Sequence, residues 1–399
     1  MKILMTAQAY YPFQEKGGPV VKVRAIALGL AQLGHAVTIL TPDGGFQQSM
    51  APSMTAEKGP RGWSAEEKGV RTVFLHNVAH YRALSLNPAV INFCRGPLKN
   101  YDVAHVYGLY DLLGPTVTFS CRRNQIPYVV EPIGMFRPIV RSIGLKKVYQ
   151  RVLGNRVLAG AYRLIATSDQ EKGELVDGGI NAARIVVRRN GVDSPRIIPE
   201  RGRFRAEWRI PLEAKLVLYL GRLEAKKSPD LLLEAFAKWR GTTQFGAIAM
   251  LAICGPEQER GYSTRLKSLA SSLGVADAIR FTGPLYEQRK WSAYRDADVF
   301  VLPSQNENFG NAAAEAMVCG TPVIVTDQCG ISPIVADRTG LVVSHDSGSL
   351  AAALKTLFED NGIAQRFRDA CPAVVNKLSW EEPVFQMAEI YREALAAAM

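Results

Sequence analysis

Two glutamates eight positions apart, Glu307 and Glu315, lie in the stretch PSQNENFGNAAAEAMVCGTPVIV. Glu307 is in a loop of Asn, Phe and Gly residues, whereas Glu315 lies among alanines that predict a tightly packed helix over residues 311–319. A carboxylate near the start of such a helix can accept hydrogen bonds from paired hydroxyl groups, as dinucleotide-binding folds do with a ribose. The alternative for Glu315 is an ordinary surface glutamate.

The residues between the two acids predict a helix terminus that binds anions. Phe309 and Gly310 lead directly into the helix that begins near Asn311. The first amide groups of a helix have no partner within it, and the helix N-terminus carries a partial positive charge. We therefore expect the backbone N–H groups from Gly310 onward to face a ligand, with Glu307 in the loop before them.

Two cations follow a predicted buried strand in the stretch LYLGRLEAKKSPDLLLEAF. Gly221 permits a tight exit from the strand, and Arg222 and Lys227 come before a helix that begins near Pro229. Cations in this position are suited to clamp a pyrophosphate, and each charge-assisted hydrogen bond contributes about 1.5–3 kcal/mol. The alternative is a pair of solvated surface cations, which is how we interpret the adjacent Lys226.

A glycine pair, Gly17 and Gly18, separates the first predicted strand from the first predicted helix. Glycine allows backbone N–H groups to come close to an anion at a helix N-terminus. The spacing is not that of the dinucleotide-binding G-x-G-x-x-G motif. An ordinary strand-to-helix turn is therefore an equal alternative.

His105 and Glu131 are further candidates in the first half of the chain. His105 falls inside an apolar strand, a pattern that fits a hydrogen-bonded core histidine as well as a catalytic group. Glu131 ends the next predicted strand, so it can face a ligand at the carboxyl edge of a sheet. It can also be a structural carboxylate that holds the following loop.

Length and composition favour a soluble protein of two domains. The 399 residues exceed one ordinary core, and the proportions of hydrophobic (47%) and charged (21%) residues are those of globular proteins. No apolar run approaches the roughly 18 residues that cross a bilayer, and the N-terminal MKILMTAQAYYPF is too short and polar for a secretory signal. The six cysteines form no C-x-x-C pair, which predicts a reducing cytoplasm and neither a disulfide framework nor a zinc site.

The formal charge of +11 is confined to the first half of the chain. Residues 1–200 contain 25 Lys and Arg against 14 Asp and Glu, whereas residues 201–399 contain 23 of each. A basic half predicts an anionic partner, such as nucleic acid, acidic lipid headgroups or a phosphate-bearing substrate.

Short β-branched runs alternate with amphipathic helical stretches, such as residues 20–33 and 229–239. The predicted strands are 2–6, 36–41, 71–75, 103–107, 128–131, 164–167, 184–187, 216–220, 247–254, 279–282, 299–302 and 323–326. Nearly continuous apolar strands in this alternation predict parallel sheets covered on both faces, and hence an α/β fold. The alternation restarts after the polar residues 190–215, which predicts two doubly wound, Rossmann-like domains with a ligand cleft between them. Residues 44–69 predict a long loop.

Together these stretches resemble the retaining glycosyltransferases of family 4, which have the GT-B fold. The resemblance covers nearly the whole chain, from GGPVVKV through RNGVD and GRLEAKKSPDLLLEAF to the C-terminal LSWEEPVFQMAEIYREAL. Glu307 and Glu315 match the E-x7-E motif of the family, and Arg222 and Lys227 have the family's spacing. The combination is far more specific than any one of these motifs.

The resemblance implies roles for the residues around the two acids. Glu315 would bind the ribose hydroxyls of a nucleotide sugar. Glu307, with the backbone of Phe309, Gly310 and Asn311, would hold hydroxyls of the donor sugar and one phosphate.

The same resemblance implies how the diphosphate and the base are held. Arg222 and Lys227 would neutralise the diphosphate, which Gly17 or Gly18 would approach from the first domain. The base of UDP or GDP would lie against the loop that contains Leu285. Because Arg222, Lys227 and the helix N-terminus at Asn311 would stabilise the leaving group, we expect neither a metal nor another cofactor.

At the level of domains, the resemblance implies an acceptor-binding domain over residues 1–195 and a nucleotide-sugar-binding domain over residues 205–380. A final helix at about 381–399 would pack back on the first domain. The activity implied is hexosyl transfer from a nucleoside diphosphate to a glycan or lipid-linked acceptor, in surface polysaccharide or glycolipid synthesis.

One position departs from the family. Many members carry histidine in a P-H-G-M stretch that contacts the donor sugar, whereas this chain has EPIGM, with Ile133 in place of the histidine. Either Glu131 or a backbone carbonyl replaces that contact, or the pocket prefers another sugar.

The stretch FRPIVRSIGLKKVYQRVLGNRVLAGAYRL in the basic half mixes cations with branched apolar residues. The cations are Arg137, Arg141, Lys146, Lys147, Arg151 and Arg156, and the apolar residues are Ile139, Val140, Ile143, Val148 and Val152. Such a stretch can lie on an anionic bilayer, so we hypothesise a peripheral contact with the inner face of the plasma membrane. The alternative is a basic solvated face of a helix packed on its own domain.

Other functions fit the sequence less well. A nucleotide-sugar epimerase or a phosphorylase has the same fold, but the paired glutamates and the lack of an identifiable pyridoxal lysine argue against both. A non-catalytic nucleotide-sugar-binding protein is compatible with the missing histidine. Nucleic-acid binding lacks a recognisable module or interleaved aromatic residues.

Overall fold

The computed structural model describes residues 1–60, 62–81, 84–137, 143–360 and 362–398. The chain divides into two compact units. The first comprises Met1–Gly191 with Trp380–Met399, and the second comprises Val192–Ser379. The first unit is thus interrupted in sequence by the second. Its first segment ends at Gly191, four residues before the predicted domain end at residue 195.

The first unit is built on a sheet that, in its described part, has nine strands in the order β11-β10-β9-β8-β1-β2-β5-β4-β3. A separate two-stranded sheet pairs β6 with β7. The strands of this unit are β1 (Lys2–Thr6), β2 (Ala36–Pro42), β3 (Thr55–Gly59), β4 (Gly62–Glu67), β5 (Val70–Leu75), β6 (Ala79–Tyr81), β7 (Leu84–Leu86), β8 (Val103–Tyr107), β9 (Tyr128–Glu131), β10 (Leu164–Ala166) and β11 (Ile185–Val187).

The prediction of a long loop at residues 44–69 is wrong. This segment contains β3 and β4, which pair antiparallel with each other, and β4 pairs antiparallel with β5. The sheet is therefore mixed at this edge rather than wholly parallel. Phe46 anchors the segment, because its ring stacks on Phe74 at 4.2 Å and meets Trp63 edge-on at 5.6 Å between centroids.

The other strand pairs of the large sheet are parallel, and helices connect them. Their bounds are α1 (Gly18–Gln32), α2 (Ala89–Arg95), α3 (Leu113–Arg123), α4 (Ile143–Tyr149), α5 (Asn155–Gly160) and α6 (Asp169–Asp177), with a π-helical turn at Gln150–Gly154 between α4 and α5. Apolar side chains of β1 and α1, including Ile3, Met5 and Ile26, form one buried cluster of this unit.

The second unit contains, in its described part, a six-stranded sheet in the order β14-β13-β12-β15-β16-β17, with every pair parallel. Its strands are β12 (Lys215–Leu220), β13 (Ala249–Cys254), β14 (Ile279–Gly283), β15 (Val299–Leu302), β16 (Val323–Thr326) and β17 (Gly340–Val343). Its helices are α7 (Arg203–Glu207), α8 (Pro229–Thr242), α9 (Tyr262–Ser272), α10 (Glu287–Asp296), α11 (Asn311–Val318), α12 (Ser332–Val335), α13 (Ser347–Glu359) and α14 (Ile363–Val375).

The strands of the second unit are buried because both faces of the sheet are covered. Leu216 and Leu218 point into one apolar cluster, whereas Val217 and Tyr219 point into another. This alternation is what a strand covered on both faces requires. Because β12 and β15 are adjacent parallel strands, the loops at their carboxyl ends lie side by side.

The last helix, α15 (Glu381–Ala396), belongs to the first unit and packs on α1. Gly29 allows a close approach of the two helices, since a Cβ atom built there would lie 2.4 Å from Cγ2 of Val384. Tyr391 and Met387 of α15 are fully buried in the cluster that also contains Ile26.

We predict that Gly29→Ala lowers the free energy of unfolding by about 1–3 kcal/mol, because the added methyl group overpacks the contact with Val384. Urea denaturation followed by circular dichroism measures the change. Gly173→Ala is the matched control, since Gly173 is also helical but has no atom within 4 Å of a built Cβ. That control should be neutral or slightly stabilising. Combining Gly29→Ala with Val384→Ala should cost less than the two single losses added together, and strict additivity would contradict the proposed clash.

Candidate functional site

The first group of candidate residues lies in the loops that follow β12 and β15. The backbone N–H of Gln305 donates to the carbonyl of Lys226 (3.0 Å), which ties the two loops together. Gly255, in the loop that follows β13, must be glycine, because a Cβ atom there would lie 1.8 Å from the carbonyl oxygen of Gly221. Gly221 thus leaves β12 against the backbone that follows β13.

Three cations and two acids meet in these loops. The ammonium group of Lys227 donates a hydrogen bond to Oε2 of Glu307, and both side chains are at most 20% exposed. Arg222 is more exposed, with Nη2 3.0 Å from Oε1 of Glu224. Lys226 is partly buried beside them. The structure therefore brings together Arg222, Lys227 and Glu307.

The charges of this group act on one another. Burial alone would raise the pKa of Glu307, but Lys227, Lys226 and Arg222 outweigh it and hold that pKa below its ordinary value. Burial and the neighbouring Lys227 lower the pKa of Lys226. Our interpretation of Lys226 as a solvated surface cation is therefore wrong, since its charge lies inside the same electrostatic group.

The helix after Glu307 begins as the sequence predicts. Gly310 adopts a left-handed conformation with φ of 111°, and its carbonyl accepts the first helical hydrogen bonds from Ala313 and Ala314. A Cβ at Gly310 would approach Ile331 Cγ2 to 2.8 Å, so glycine is needed for packing as well as for backbone conformation. Phe309 is buried in the core, and α11 then starts at Asn311.

Glu315 lies in α11 with two hydrogen-bond donors from α10. Nζ of Lys290 is 2.8 Å from Oε1, and the hydroxyl of Tyr294 is 3.0 Å from Oε2. The carboxylate is only 12% exposed, which disfavours the alternative of an ordinary surface glutamate, and its role toward a ribose stays a prediction. Leu285, expected near a base, is 4% exposed and packs in the core beneath the loop after β14.

The glycine pair belongs to the first unit, whereas the cations and acids just described belong to the second. Gly17 has a φ of 86° and precedes the first residue of α1, which is Gly18. A positive φ at this turn favours glycine. The turn therefore exists as predicted, and its role toward a ligand stays a prediction.

Glu131 is fully buried at the end of β9. Oε1 accepts hydrogen bonds from Lys22 Nζ (2.5 Å) and Arg188 Nη2 (2.9 Å), and Oε2 accepts from the same guanidinium (2.8 Å). Arg188 and Lys22 hold the pKa of Glu131 below its ordinary value, although burial alone would raise it. This enclosure corrects our placement of Glu131 among the ligand-contacting residues and favours the structural alternative, because the fully buried carboxylate already accepts three hydrogen bonds from internal cations.

His105 is a core residue in the same cluster. Its Nδ1 lies 2.7 Å from the hydroxyl of Tyr391, and its Nε2 lies 3.8 Å from Glu131. Burial is the main cause that lowers the pKa of His105 to about 3, so the ring is neutral near pH 7. The core alternative for His105 therefore fits the structure.

Ile133, which replaces the family histidine, has a φ of 55°. This left-handed region is unfavourable for a β-branched residue, whereas histidine tolerates it better. The turn after β9 thus keeps a backbone conformation that its side chain does not favour.

Comparison with known proteins gives two family matches along the chain. Residues 17–191 match the glycosyl transferase 4-like domain, and residues 200–372 match the model described as glycosyl transferases group 1. A D-inositol 3-phosphate glycosyltransferase from Acidothermus cellulolyticus is 31% identical over 397 residues, which cover 96% of this chain and 87% of that protein. The chain belongs to the group 1 glycosyl transferases.

Other relatives and structures agree with this assignment. A D-inositol 3-phosphate glycosyltransferase from Salinispora arenicola is 34% identical over a shorter region, 62% of this glycosyltransferase and 58% of the relative. HepE from Anabaena, solved in complex with UDP and glucose, superposes with a TM-score of 0.78 at 18% identity, covering 98% of this chain and 100% of that one. The fold of this glycosyltransferase is accordingly GT-B.

The described residues contain no group of three or more His, Cys, Asp or Glu side chains that could hold a metal ion. Among them, no helix combines the length and the apolar character needed to span a bilayer.

Among residues of the second unit, sequence reasoning misassigned Lys226 and missed Lys290 and Tyr294. The last two carried a usable signal, because a spacing of four places them on one face of a predicted helix. What sequence alone could not supply is that this face meets Glu315 on a different helix.

We predict that Glu131→Gln destabilises the glycosyltransferase by about 3–5 kcal/mol, because it leaves Lys22 and Arg188 without a buried counter-charge. Since the pKa of Glu131 is lowered on folding, wild type gains this stability above the ordinary value of 4.5 and loses it as the pH falls below that value. Urea titrations between pH 7 and pH 3 measure both effects. The exposed Glu57→Gln control should behave as wild type, and an equally steep acid loss in Glu131→Gln would contradict the assignment.

Proposed function

We propose that this glycosyltransferase moves a hexose-type sugar, with retention of configuration, from a nucleoside diphosphate donor, UDP or GDP, to a glycan or lipid-linked acceptor. The reaction would serve surface polysaccharide or glycolipid synthesis. The observation that carries the proposal is the group of Arg222, Lys226 and Lys227 around Glu307, beside the N-terminus of α11. The complex of HepE with UDP and glucose, and the glycosyltransferase names of the relatives, support it.

The cations supply what the chemistry needs. When the bond between the anomeric carbon and the phosphate oxygen breaks, the electron pair leaves with the diphosphate, and its negative charge grows. Arg222, Lys227 and the dipole of α11 stabilise that charge, and preorganised groups of this kind contribute about 10²–10³-fold in rate each. The acceptor oxygen attacks the same face, and its proton passes to the leaving phosphate oxygen, so the proposal requires neither a protein base nor a metal.

Glu307 has two tasks in this scheme. Glu307 accepts a hydrogen bond from Lys227, which keeps the ammonium group in the loop at the strand end. A carboxylate has several acceptor positions, so Glu307 can keep Lys227 and accept a hydroxyl of the donor sugar as well. Glu315 would hold the ribose hydroxyls in the same way.

We predict that one UDP- or GDP-hexose raises the melting temperature of the wild-type protein and is slowly hydrolysed. Lys227→Ala and Arg222→Ala should each weaken that stabilisation and slow turnover by about 10²-fold or more, since each variant lacks one cation that stabilises the negative charge of the leaving diphosphate. A panel of nucleotide sugars, scored by thermal shift and by release of the diphosphate, measures both. The exposed Lys267→Ala, in α9, is the matched control.

The same panel separates the competing functions. If Arg222→Ala and Lys227→Ala bind the donor as wild type does, the proposed clamp is wrong. Donor binding without hydrolysis or transfer, unchanged in Glu307→Ala, would indicate a non-catalytic binding protein, and conversion of the donor to its epimer would indicate an epimerase. Acceptor trials should include polyol phosphates, because the relatives are named for an inositol phosphate.

The structure adds an argument for membrane contact. In α4 and the π-helical turn after it, Ile143, Leu145, Val148 and Val152 are 45–60% exposed. Lys147 and Arg151 are exposed on the same segment. Apolar side chains that face water between cations suit the surface of an anionic bilayer. Ile139, Val140 and Arg141 of the predicted stretch lie outside the described residues.

We predict that the protein sediments with vesicles of phosphatidylglycerol and phosphatidylcholine at low salt. Val148→Glu combined with Val152→Glu should weaken this binding by at least about tenfold, because two apolar contacts are lost and two negative charges are added. Val176→Glu, on α6 of the same unit and 40% exposed, should bind as wild type. Sedimentation of the double variant equal to wild type would remove this surface from the proposal.

A further inference from the structure

Glu315 is held by two side chains of a single helix. Lys290 and Tyr294 lie four positions apart in α10, so both project from one face toward α11. The ammonium group of Lys290 donates a hydrogen bond to Oε1 (2.8 Å), and the hydroxyl of Tyr294 donates one to Oε2 (3.0 Å). The carboxylate is therefore fixed in rotation as well as in position.

The arrangement leaves acceptor capacity for a ligand. An ionised carboxylate has about four lone-pair sites on its two oxygens, and the two donors use one site on each. One acceptor position per oxygen remains. The two oxygens of one carboxylate, each with an acceptor position left, match the two hydroxyl groups of a vicinal diol.

Lys290 also compensates the charge of Glu315. The alanines on either side of Glu315 in α11, including Ala314 and Ala316, are fully buried, and only 12% of the carboxylate side chain is exposed. A carboxylate in such surroundings is costly unless it is paired. An ionised acceptor forms stronger hydrogen bonds with hydroxyl groups than a neutral one.

The position of Lys290 is itself restrained. Its ammonium group lies 4.7 Å from the centre of the Trp291 ring, and its side chain is 21% exposed. The next residue, Arg289, contacts Glu207 instead and is 56% exposed. Two adjacent cations of α10 thus have different partners, and only Lys290 is directed at the acid of the candidate site.

We propose that Lys290 is a positioning residue that orients Glu315 to accept both hydroxyl groups of a ribose, and that it thereby makes the site prefer ribonucleotides to 2′-deoxyribonucleotides. The inference rests on the proposed function, in which Glu315 meets the nucleoside. Lys290 does not touch the reacting atoms. It acts on nucleotide affinity through the carboxylate, and Tyr294 supplies the second restraint.

Isothermal titration calorimetry with UDP, GDP and their 2′-deoxy forms tests the proposal on the full-length protein. Wild type should bind one ribonucleoside diphosphate at least about tenfold more tightly than its 2′-deoxy form, the loss expected for one charge-assisted hydrogen bond. In Lys290→Met the ribonucleotide should bind about tenfold more weakly while the 2′-deoxy form changes little, so the ratio falls toward one. Lys290→Arg should restore the ratio, and Arg289→Met is the matched control that should keep it. In transfer assays the Lys290→Met variant should raise KM for the donor and leave kcat near wild type.

The outcomes separate this inference from the proposed function. If wild type binds UDP or GDP and Lys290→Met keeps the wild-type ratio, the positioning role is overturned and the donor assignment stands. Tighter nucleotide binding by Lys290→Met also overturns it, because Lys290 would then occupy the place of the nucleoside. Binding of neither diphosphate by wild type overturns the donor assignment and the inference with it. Should Lys290→Met melt at a lower temperature than wild type, Lys290→Gln, which keeps a donor and loses the charge, gives the same comparison of ratios.

Discussion

Pairing of lysine with glutamate inside the second unit is the interaction on which the candidate site depends. Lys227 neutralises Glu307 and Lys290 neutralises Glu315, each across two separate segments of the chain. A carboxylate withdrawn from water tends to take up a proton unless a cation stands beside it. Each pair therefore places a cation against a carboxylate that is at most 20% exposed, and Lys227 with its neighbours holds the pKa of Glu307 below its ordinary value. Because a carboxylate has spare acceptor positions, pairing does not prevent ligand binding.

The first unit uses the same principle for a different purpose. Glu131 is shared by Lys22 and Arg188, and His105 beside it is neutral, so two positive charges meet one negative charge in a fully buried cluster. Lys22 lies one helical turn after Gly18 and on the same side of α1. The surplus positive charge reinforces the dipole of α1 at the glycine turn, where an anion would be stabilised.

Much of the fold could be predicted because short stretches of sequence carry the hydrophobic patterns of its strands and helices. The runs around Leu216, Val299 and Val323 are apolar throughout, as buried parallel strands must be. The hairpin of β3 and β4 escaped prediction because Thr55–Gly59 is mostly exposed and polar, and its order depends on contacts such as Phe46 with Trp63. Charged side chains in an exposed edge strand give no hydrophobic alternation to detect.

In the candidate site, too, residues that belong to local motifs could be predicted, whereas contacts between distant segments could not. Arg222, Lys227, Glu307 and Glu315 were found because their short spacings belong to single motifs. The partners of Glu131 lie 109 and 57 positions away in sequence, so no local spacing reveals them. A strand-end carboxylate is equally compatible with a ligand and with an internal cation until the neighbouring elements are placed.

The return of the last helix to the first unit has a consequence for biosynthesis. On the ribosome, the segment before Val192 emerges first, but the helix that covers α1 through Gly29 and Val384 is made last. The second unit is continuous in sequence and can complete its own core during translation. The apolar surface of the earlier segment around Ile26 stays uncovered until α15 has been made, and during this interval the nascent chain is exposed to chaperones and to aggregation.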